Sequence, residues 1–348
     1  MKIKALAALT MAGMMMFMAG CGGGGDKKTG EGTAEEKVLT VYSARSESLN
    51  NAVIPKFEKA TGIKVNLVVA GTGEVLKRVN SEKANPLGDV LWAADETMLS
   101  GSKDLFMEYV SKENDQMMDA FKNKHGVFTP AFADPTVMIV NTELQGDIKI
   151  EGFADLLNPA LKGKIAFGDP VNSSSAFQSL MAMLYANGKD GDPMSEEAWD
   201  YVSKFIANLD GKMANSSSQV YKGVAGGEYV VGLTWEDPAA SLVKNGAKVA
   251  VVFPTEGAIF PGESVQIIKN SKHPENAKKF VDFMLSEEIQ SAIGKELTVR
   301  PLRKGVELAD YMTPIDKIKL TSNYDEAWVA ANKAEISKKF SEQLEKSM

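Results

Sequence analysis

From residue 38 onward, short runs of β-branched and aromatic residues alternate with segments whose apolar residues recur every three or four positions. That alternation constrains the fold more than any other feature of the chain. VLTVYS at 38–43 reads as a strand. Ser46 or Ser48 then caps a helix that carries Leu49, Val53, Ile54 and Phe57 and stops at Gly62. IKVNLVVA at 63–70 is a second strand, Gly71-Thr-Gly73 turns into a helix with Val75, Leu76 and Val79, and residues 89–94 (DVLWAA) form a third strand. Two strands separated by a helix cannot be joined by a tight turn, so this spacing implies βαβ units and a parallel sheet.

The pattern returns in the middle of the chain. A strand at 164–168 is followed by Phe177, Leu180, Met181, Leu184 and Tyr185 on one helical face. Residues 198–209 read as an amphipathic helix, 229–234 as a strand, 238–245 as a short helix ended by Gly246, and 248–253 as another strand. Pro274 suits the first turn of a helix whose buried face is Ala277, Phe280, Val281, Met284 and Leu285. The 348 residues suffice for about two compact units. The reading is therefore an α/β chain of two lobes, one built from residues 38–132 plus 256–305 and the other from 133–255. The chain crosses between them near 131–138 and 254–257, and residues 306–348 form a C-terminal helical segment whose lobe the pattern leaves open.

The N-terminus has a different character. Lys2 and Lys4 precede an apolar stretch over 5–18, followed by Ala19, Gly20 and Cys21. This reads as a secretory signal over 1–20. Its end, Met-Ala-Gly-Cys, resembles a bacterial lipobox with Met18 where leucine is more usual, which makes Cys21 the expected lipidated first residue of the mature chain. Residues 22–37 (GGGGDKKTGEGTAEEK) carry no sizeable apolar side chain and read as a flexible tether. The folded part is thus expected outside the cytoplasm, held to a membrane by its lipid.

Several classes are excluded by composition. Hydrophobic residues make up 44% of the chain, too many for a largely disordered protein. Cys21 is the one cysteine, so an intramolecular disulfide or a cysteine-built zinc site is impossible. His125 and His273 are the only histidines and neither adjoins a nucleophile motif, which argues against a His-rich metal site and a Ser-His-Asp enzyme. The net charge is −7, and removing Lys2 and Lys4 with the signal makes it −9, so nucleic-acid binding is not expected.

A series of segments, in order, resembles the extracellular solute-binding proteins of ABC importers, in the branch that includes binders of ferric ion, phosphonates and sugar phosphates. They include Val41-Tyr-Ser43, Thr61-Gly-Ile-Lys-Val65, Asp89-Val-Leu-Trp92 and Asp155-Leu-Leu-Asn-Pro159. Later ones are Phe167-Gly-Asp-Pro170 leading to Ser173-Ser-Ser-Ala176, Gly232-Leu-Thr-Trp-Glu-Asp-Pro238 and Arg300-Pro-Leu-Arg303. The resemblance implies the type 2 periplasmic-binding-protein fold: two lobes, each a mixed sheet flanked by helices, closing by a hinge over one ligand in the cleft between them. It also implies a monomer without cofactor or catalysis, which passes its ligand to an ABC permease in the cytoplasmic membrane.

Helix N-termini leave N–H groups unpaired and carry partial positive charge, so polar clusters before helices are candidate anion contacts. Four such clusters occur: Ser43 with Arg45, Thr72 with Gly73, Ser173 with Ser174 and Ser175, and Ser217 with Ser218. Each is also what simple capping or turning requires; the resemblance places all four at the interlobe cleft. Arg45 is the candidate charge partner, since a guanidinium grips a phosphate or carboxylate with two bonds. Glu236 is the candidate acceptor for ligand hydroxyl or ammonium groups, Asp237 reads as a helix cap, and Trp92 and Trp235 as cleft lining or core. Ferric binders of this branch typically pair two adjacent tyrosines. None of the eight tyrosines here is adjacent to another, leaving only scattered ones such as Tyr42, Tyr221 and Tyr229. The expected ligand is accordingly an organic anion: a phosphorylated sugar, a phosphonate or a similar organophosphate.

Overall fold

The structure, a computed structural model, describes residues 36–93, 96–124 and 126–347. The expected signal, Cys21, most of the tether and His125 lie outside the described residues.

The first lobe begins as the alternation predicts. Strand β1 (Val38–Ser43) leads to helix α1 (Glu47–Thr61), β2 (Lys64–Val69), α2 (Thr72–Ser81) and β3 (Val90–Trp92). Ser46 caps α1 by accepting from Leu49 N, and Gly62 ends it at φ 69°, a left-handed conformation that costs a glycine nothing. β1 pairs in parallel with both β2 and β3. A helical turn, α3 (Glu96–Leu99), follows, and then β4 (Thr129–Ala133).

Only Asp134 and Pro135 separate β4 from β5 (Thr136–Asn141), which already belongs to the second lobe. The expected crossing near 131–138 is therefore two residues long, with strands on both sides of it. β5 is buried along its whole length, as a central strand covered on both faces must be. The second lobe continues with β6 (Ile165–Ala166), α4 (Ser174–Asn187), α5 (Glu196–Leu209), α6 (Ser217–Ala225), β7 (Val231–Trp235), α7 (Glu236–Lys244) and β8 (Val249–Val252). Its sheet has the order β6-β7-β5-β8, with β6 parallel to β7 and β5 antiparallel to both its neighbours.

The chain then returns. β9 (Gly262–Ile267) enters the first sheet between β3 and β4, antiparallel to both, followed by α8 (Pro274–Leu285), α9 (Glu287–Glu296) and β10 (Arg300–Pro301) on the sheet's edge. The six-stranded order is β10-β4-β9-β3-β1-β2. Last, α10 (Glu326–Ser347) packs on the second lobe, where Val329, Ile336 and Phe340 join the core formed by Phe167, Phe205 and Leu180. Each sheet has its own apolar core, so each lobe is held by its own hydrophobic burial.

Two differences from the sequence pattern have a clear cause. The strand expected over 164–168 shrinks to Ile165–Ala166, with Gly168 making an isolated bridge to Ala214. β9 carries Glu263, Ser264 and Gln266, and α9 carries Gln290, all buried or half-buried polar groups; neither segment has the apolar alternation that reveals a strand or helix in isolation. Gln290 earns its burial by bonding Ala131 O, Met284 O and the backbone N–H groups of Leu302 and Arg303.

Candidate functional site

A cavity of about 530 Å³ lies between the two sheets and takes its walls from both lobes. Four helices open on it with their N-terminal ends. Arg45 and Ser46 line it at the start of α1, and Thr72 at the start of α2. Across from them are Ser173, Ser174 and Ser175 at the start of α4, and Ser216 and Ser217 at the start of α6. In both serine clusters the first serine is the cap: the Ser173 hydroxyl oxygen accepts from Ala176 N and that of Ser216 from Gln219 N, and each also lies 3.1 Å from the hydroxyl two residues on, Ser175 and Ser218. Asn172 and Asn215 extend the same polar wall.

The candidate residues divide. Arg45, Thr72, Ser173, Ser174, Ser175 and Ser217 line the cavity; Ser43, Gly73, Ser218 and Glu236 do not. Ser43 is buried, donates to Asn50 Oδ1 at 2.8 Å and accepts from Arg45 N, so it shapes the turn into α1. Ser218 is turned to Ser216, with 3.1 Å between their hydroxyls. Trp92 is core, edge-on to Phe132 and Phe280, whereas Trp235 lines the cavity.

The roles expected of Glu236 and Asp237 are exchanged. Glu236 is 1% exposed and forms a bidentate ion pair with Arg300, at 2.5 Å from Nε and 2.6 Å from Nη2. Asp237 is not a cap, because α7 starts one residue earlier; it lines the cavity, accepts from the Thr298 hydroxyl, and its backbone N–H donates to Asp134 Oδ1 at 2.9 Å. β7 runs directly into α7, which begins at Glu236 rather than at the expected residue 238, so Asp237 falls inside the first turn instead of at the cap.

Asp134 and Glu263 are cavity residues that the sequence pattern did not reveal. Asp134 sits in the two-residue crossing and Glu263 on β9, in segments without a recognisable periodic signal. Glu263 holds Arg45 at 2.7 Å, and the guanidinium lies over the Phe132 ring at 5.5 Å. Arg45 therefore enters the cavity wall already paired, with its Nε buried and unbonded. Burial pushes the Asp134 carboxyl well above the usual carboxylate range, and the charge of Asp237 adds to the push. Asp237 is also raised by burial, against the opposing pull of the Thr298 hydroxyl and of Arg45. The site thus has walls that offer N–H and O–H donors and a floor of carboxylates that seek donors.

Among the described residues, no group of three or more His, Cys, Asp or Glu side chains is placed to hold a metal ion. Tyr42, Tyr221 and Tyr229 are not on the cavity lining; Tyr42 is buried and donates to Glu82 at 2.7 Å. A serine, a histidine and an aspartate do meet elsewhere. Ser271 donates to Asp89 at 2.7 Å and His273 Nδ1 lies 3.0 Å from the same carboxylate, so the hydroxyl is bonded to the acid rather than to the imidazole that would have to activate it.

Two lobes, each with its own sheet, joined by crossing strands around a polar cavity, define a protein that captures a small solute in a cleft. Comparison with known proteins gives the same result. The family model described as bacterial extracellular solute-binding protein matches residues 52–326, and the chain belongs to that family. It is 27% identical over 319 residues to iron uptake protein A1 of Synechocystis sp., covering 86% of each chain. Among solved structures it is similar to a periplasmic binding protein of Actinobacillus pleuropneumoniae with fructose-6-phosphate bound, at 25% identity and a TM-score of 0.75, covering 88% of this chain and 98% of that one. A ferric binding protein from Campylobacter jejuni is similar at 26% identity and a TM-score of 0.74, covering 88% and 99%. The chain is the solute-binding component of an ABC importer.

Proposed function

We propose that this component is lipid-anchored through Cys21 and captures a small organic anion, such as a phosphorylated sugar, a phosphonate or a similar organophosphate, by closure of the lobes. The observation that carries the reading is that four helix N-termini from both lobes open on one cavity, each with a serine or threonine at the rim. An anion between them accepts bonds from both lobes at once, so it binds the closed form better than the open one, which is the differential affinity that closure needs. Asp134 and Asp237 favour an organic ligand over a bare oxyanion, because hydroxyl or ammonium groups at its other end can donate to them. The fructose-6-phosphate held by the Actinobacillus protein has that construction. The chain acts by binding, without turnover.

Thermal unfolding of the full chain with fructose 6-phosphate, 2-aminoethylphosphonate or citrate tests this. Ligand at a hundred times its Kd adds about 2.7 kcal/mol of stability. That raises the melting temperature by roughly 5–10 °C for lobes of this size. No rise with any of the three probes refutes the anion reading.

The iron-uptake and ferric-binding relatives support a second reading, in which the solute is ferric ion. A visible charge-transfer band on adding ferric ion supports it, and a colourless mixture counts against it.

A further inference from the structure

Where the lobes turn on one another is written in one buried side chain. Arg300 is 2% exposed and belongs to β10 of the first lobe, paired in register with Ala133, the last residue before the first crossing. Its guanidinium reaches across to Glu236 of the second lobe with two short bonds. The same guanidinium rests against two phenylalanines, 5.3 Å from the Phe253 ring and 5.7 Å from the Phe260 ring. Those two residues stand at either end of the second crossing, between β8 and β9, and their rings stack on each other at 6.2 Å. One side chain thus touches both lobes and both ends of one crossing, and sits beside the other.

The residues around Glu236 tie this point to the cavity. Glu236 N donates to Pro135 O at 2.9 Å, Asp237 N donates to Asp134, and Thr298, two residues before Arg300, donates to Asp237. The second crossing is bound to the first by Thr136 N donating to Ile259 O at 3.0 Å. A buried, bidentate, fully paired charge is costly to separate, since parting it strands two ions in a low-dielectric interior. Single peptide segments of a few residues, by contrast, absorb rotation through φ and ψ at little cost.

We propose that Arg300 is the positioning residue of the hinge: its pair with Glu236 stays closed while the lobes rock, and it holds Asp237 in the cavity wall as the crossings 134–135 and 253–261 bend around it. Arg300 does not meet the ligand; it acts through Glu236 and Asp237. The cavity floor then keeps one geometry in open and closed forms, while the serine-bearing ends of α4 and α6 travel.

Hydrogen–deuterium exchange of the full chain without ligand tests this, comparing the native protein with Arg300→Lys and with the double variant Arg300→Met, Glu236→Met. The double variant leaves no buried charge unpaired and keeps the packing volume, so it retains its fold. The expected result is at least tenfold faster exchange at the amides of Thr136, Glu236, Asp237 and Ile259 in the double variant, with less than twofold change in α4 and α5. Arg300→Lys keeps the charge without the two-pronged geometry and should fall between. Unchanged exchange at the crossings overturns the proposal, as does an increase of equal size throughout both lobes, which would make the pair a general stabiliser. Native exchange in Arg300→Lys overturns the role given to the bidentate geometry.

Discussion

Gly232 offers a way to move one wall of the cavity from behind. It lies in β7, opposite Ala166 of β6 and Ile139 of β5, directly under helix α6. A methyl group on its Cα would stand 2.8 Å from Val220 Cγ1, 3.0 Å from Val224 Cγ2 and 3.3 Å from Ala166 Cβ. Ordinary contact begins near 3.4 Å, so α6 must rise from the sheet by about 0.6 Å, because helical valines are nearly fixed at χ1 and cannot swing aside. Overpacking of this kind costs about 1–3 kcal/mol. For lobes of this size each kcal/mol lowers the melting temperature by about 2–4 °C. The functional effect follows from what α6 carries: Ser216 and Ser217 at its N-terminus are cavity wall. Gly232→Ala should therefore weaken binding of fructose 6-phosphate, measured by calorimetry, as well as lower stability. Adding Val220→Ala removes the nearer clash but leaves that with Val224, and should restore part of the affinity. A Gly232→Ala protein with native stability and native affinity would refute the claim that this contact sets the seat of α6. Lost stability with unchanged affinity would show that the α6 N-terminus takes no part in the site.

Asp134→Asn should raise the melting temperature at pH 7. A carboxyl whose pKa is raised by folding contributes stability below its unfolded value, near 3.9, and loses it as pH rises through the folded value. The stabilising effect of the amide should therefore shrink as pH falls toward 4; an Asn variant that is less stable than the native protein at pH 7 contradicts the assignment. Ser216→Ala should cost about 1 kcal/mol in urea unfolding, because Gln219 N loses its cap. Cys21→Ser should move the expressed protein from the membrane fraction to the soluble extracytoplasmic fraction, and continued membrane association would exclude lipidation at that residue.

Much of the architecture was legible in the sequence because it depends on local rules. The cap at Ser46, the stop at Gly62 and the helix start at Pro274 are read from single residues whose backbone preferences act within one turn. The same rules located three of the four helix N-termini now found around the cavity with a hydroxyl from the candidate set facing it, at Thr72, Ser173 and Ser217. Segments whose identity comes from partners far along the chain were not legible. β9 is a strand because β3 and β4 accept its backbone on either side, and Gln290 is buried because four backbone groups on three separate segments satisfy it.

The sequence by itself determined that this chain is an α/β protein with a polar, helix-capped set of βα junctions, since periodicity and capping are properties of neighbouring residues. Only the tertiary structure decided which carboxylate faces the cavity. Glu236 and Asp237 are adjacent acids in one helix turn, indistinguishable by composition or spacing. Arg300, 64 residues away, takes the first into the hinge and leaves the second in the cavity, together with Asp134 and Glu263. The reason is electrostatic and long-range: a buried charge goes where its counter-ion is, and the position of a counter-ion on a distant strand is not written in the local pattern.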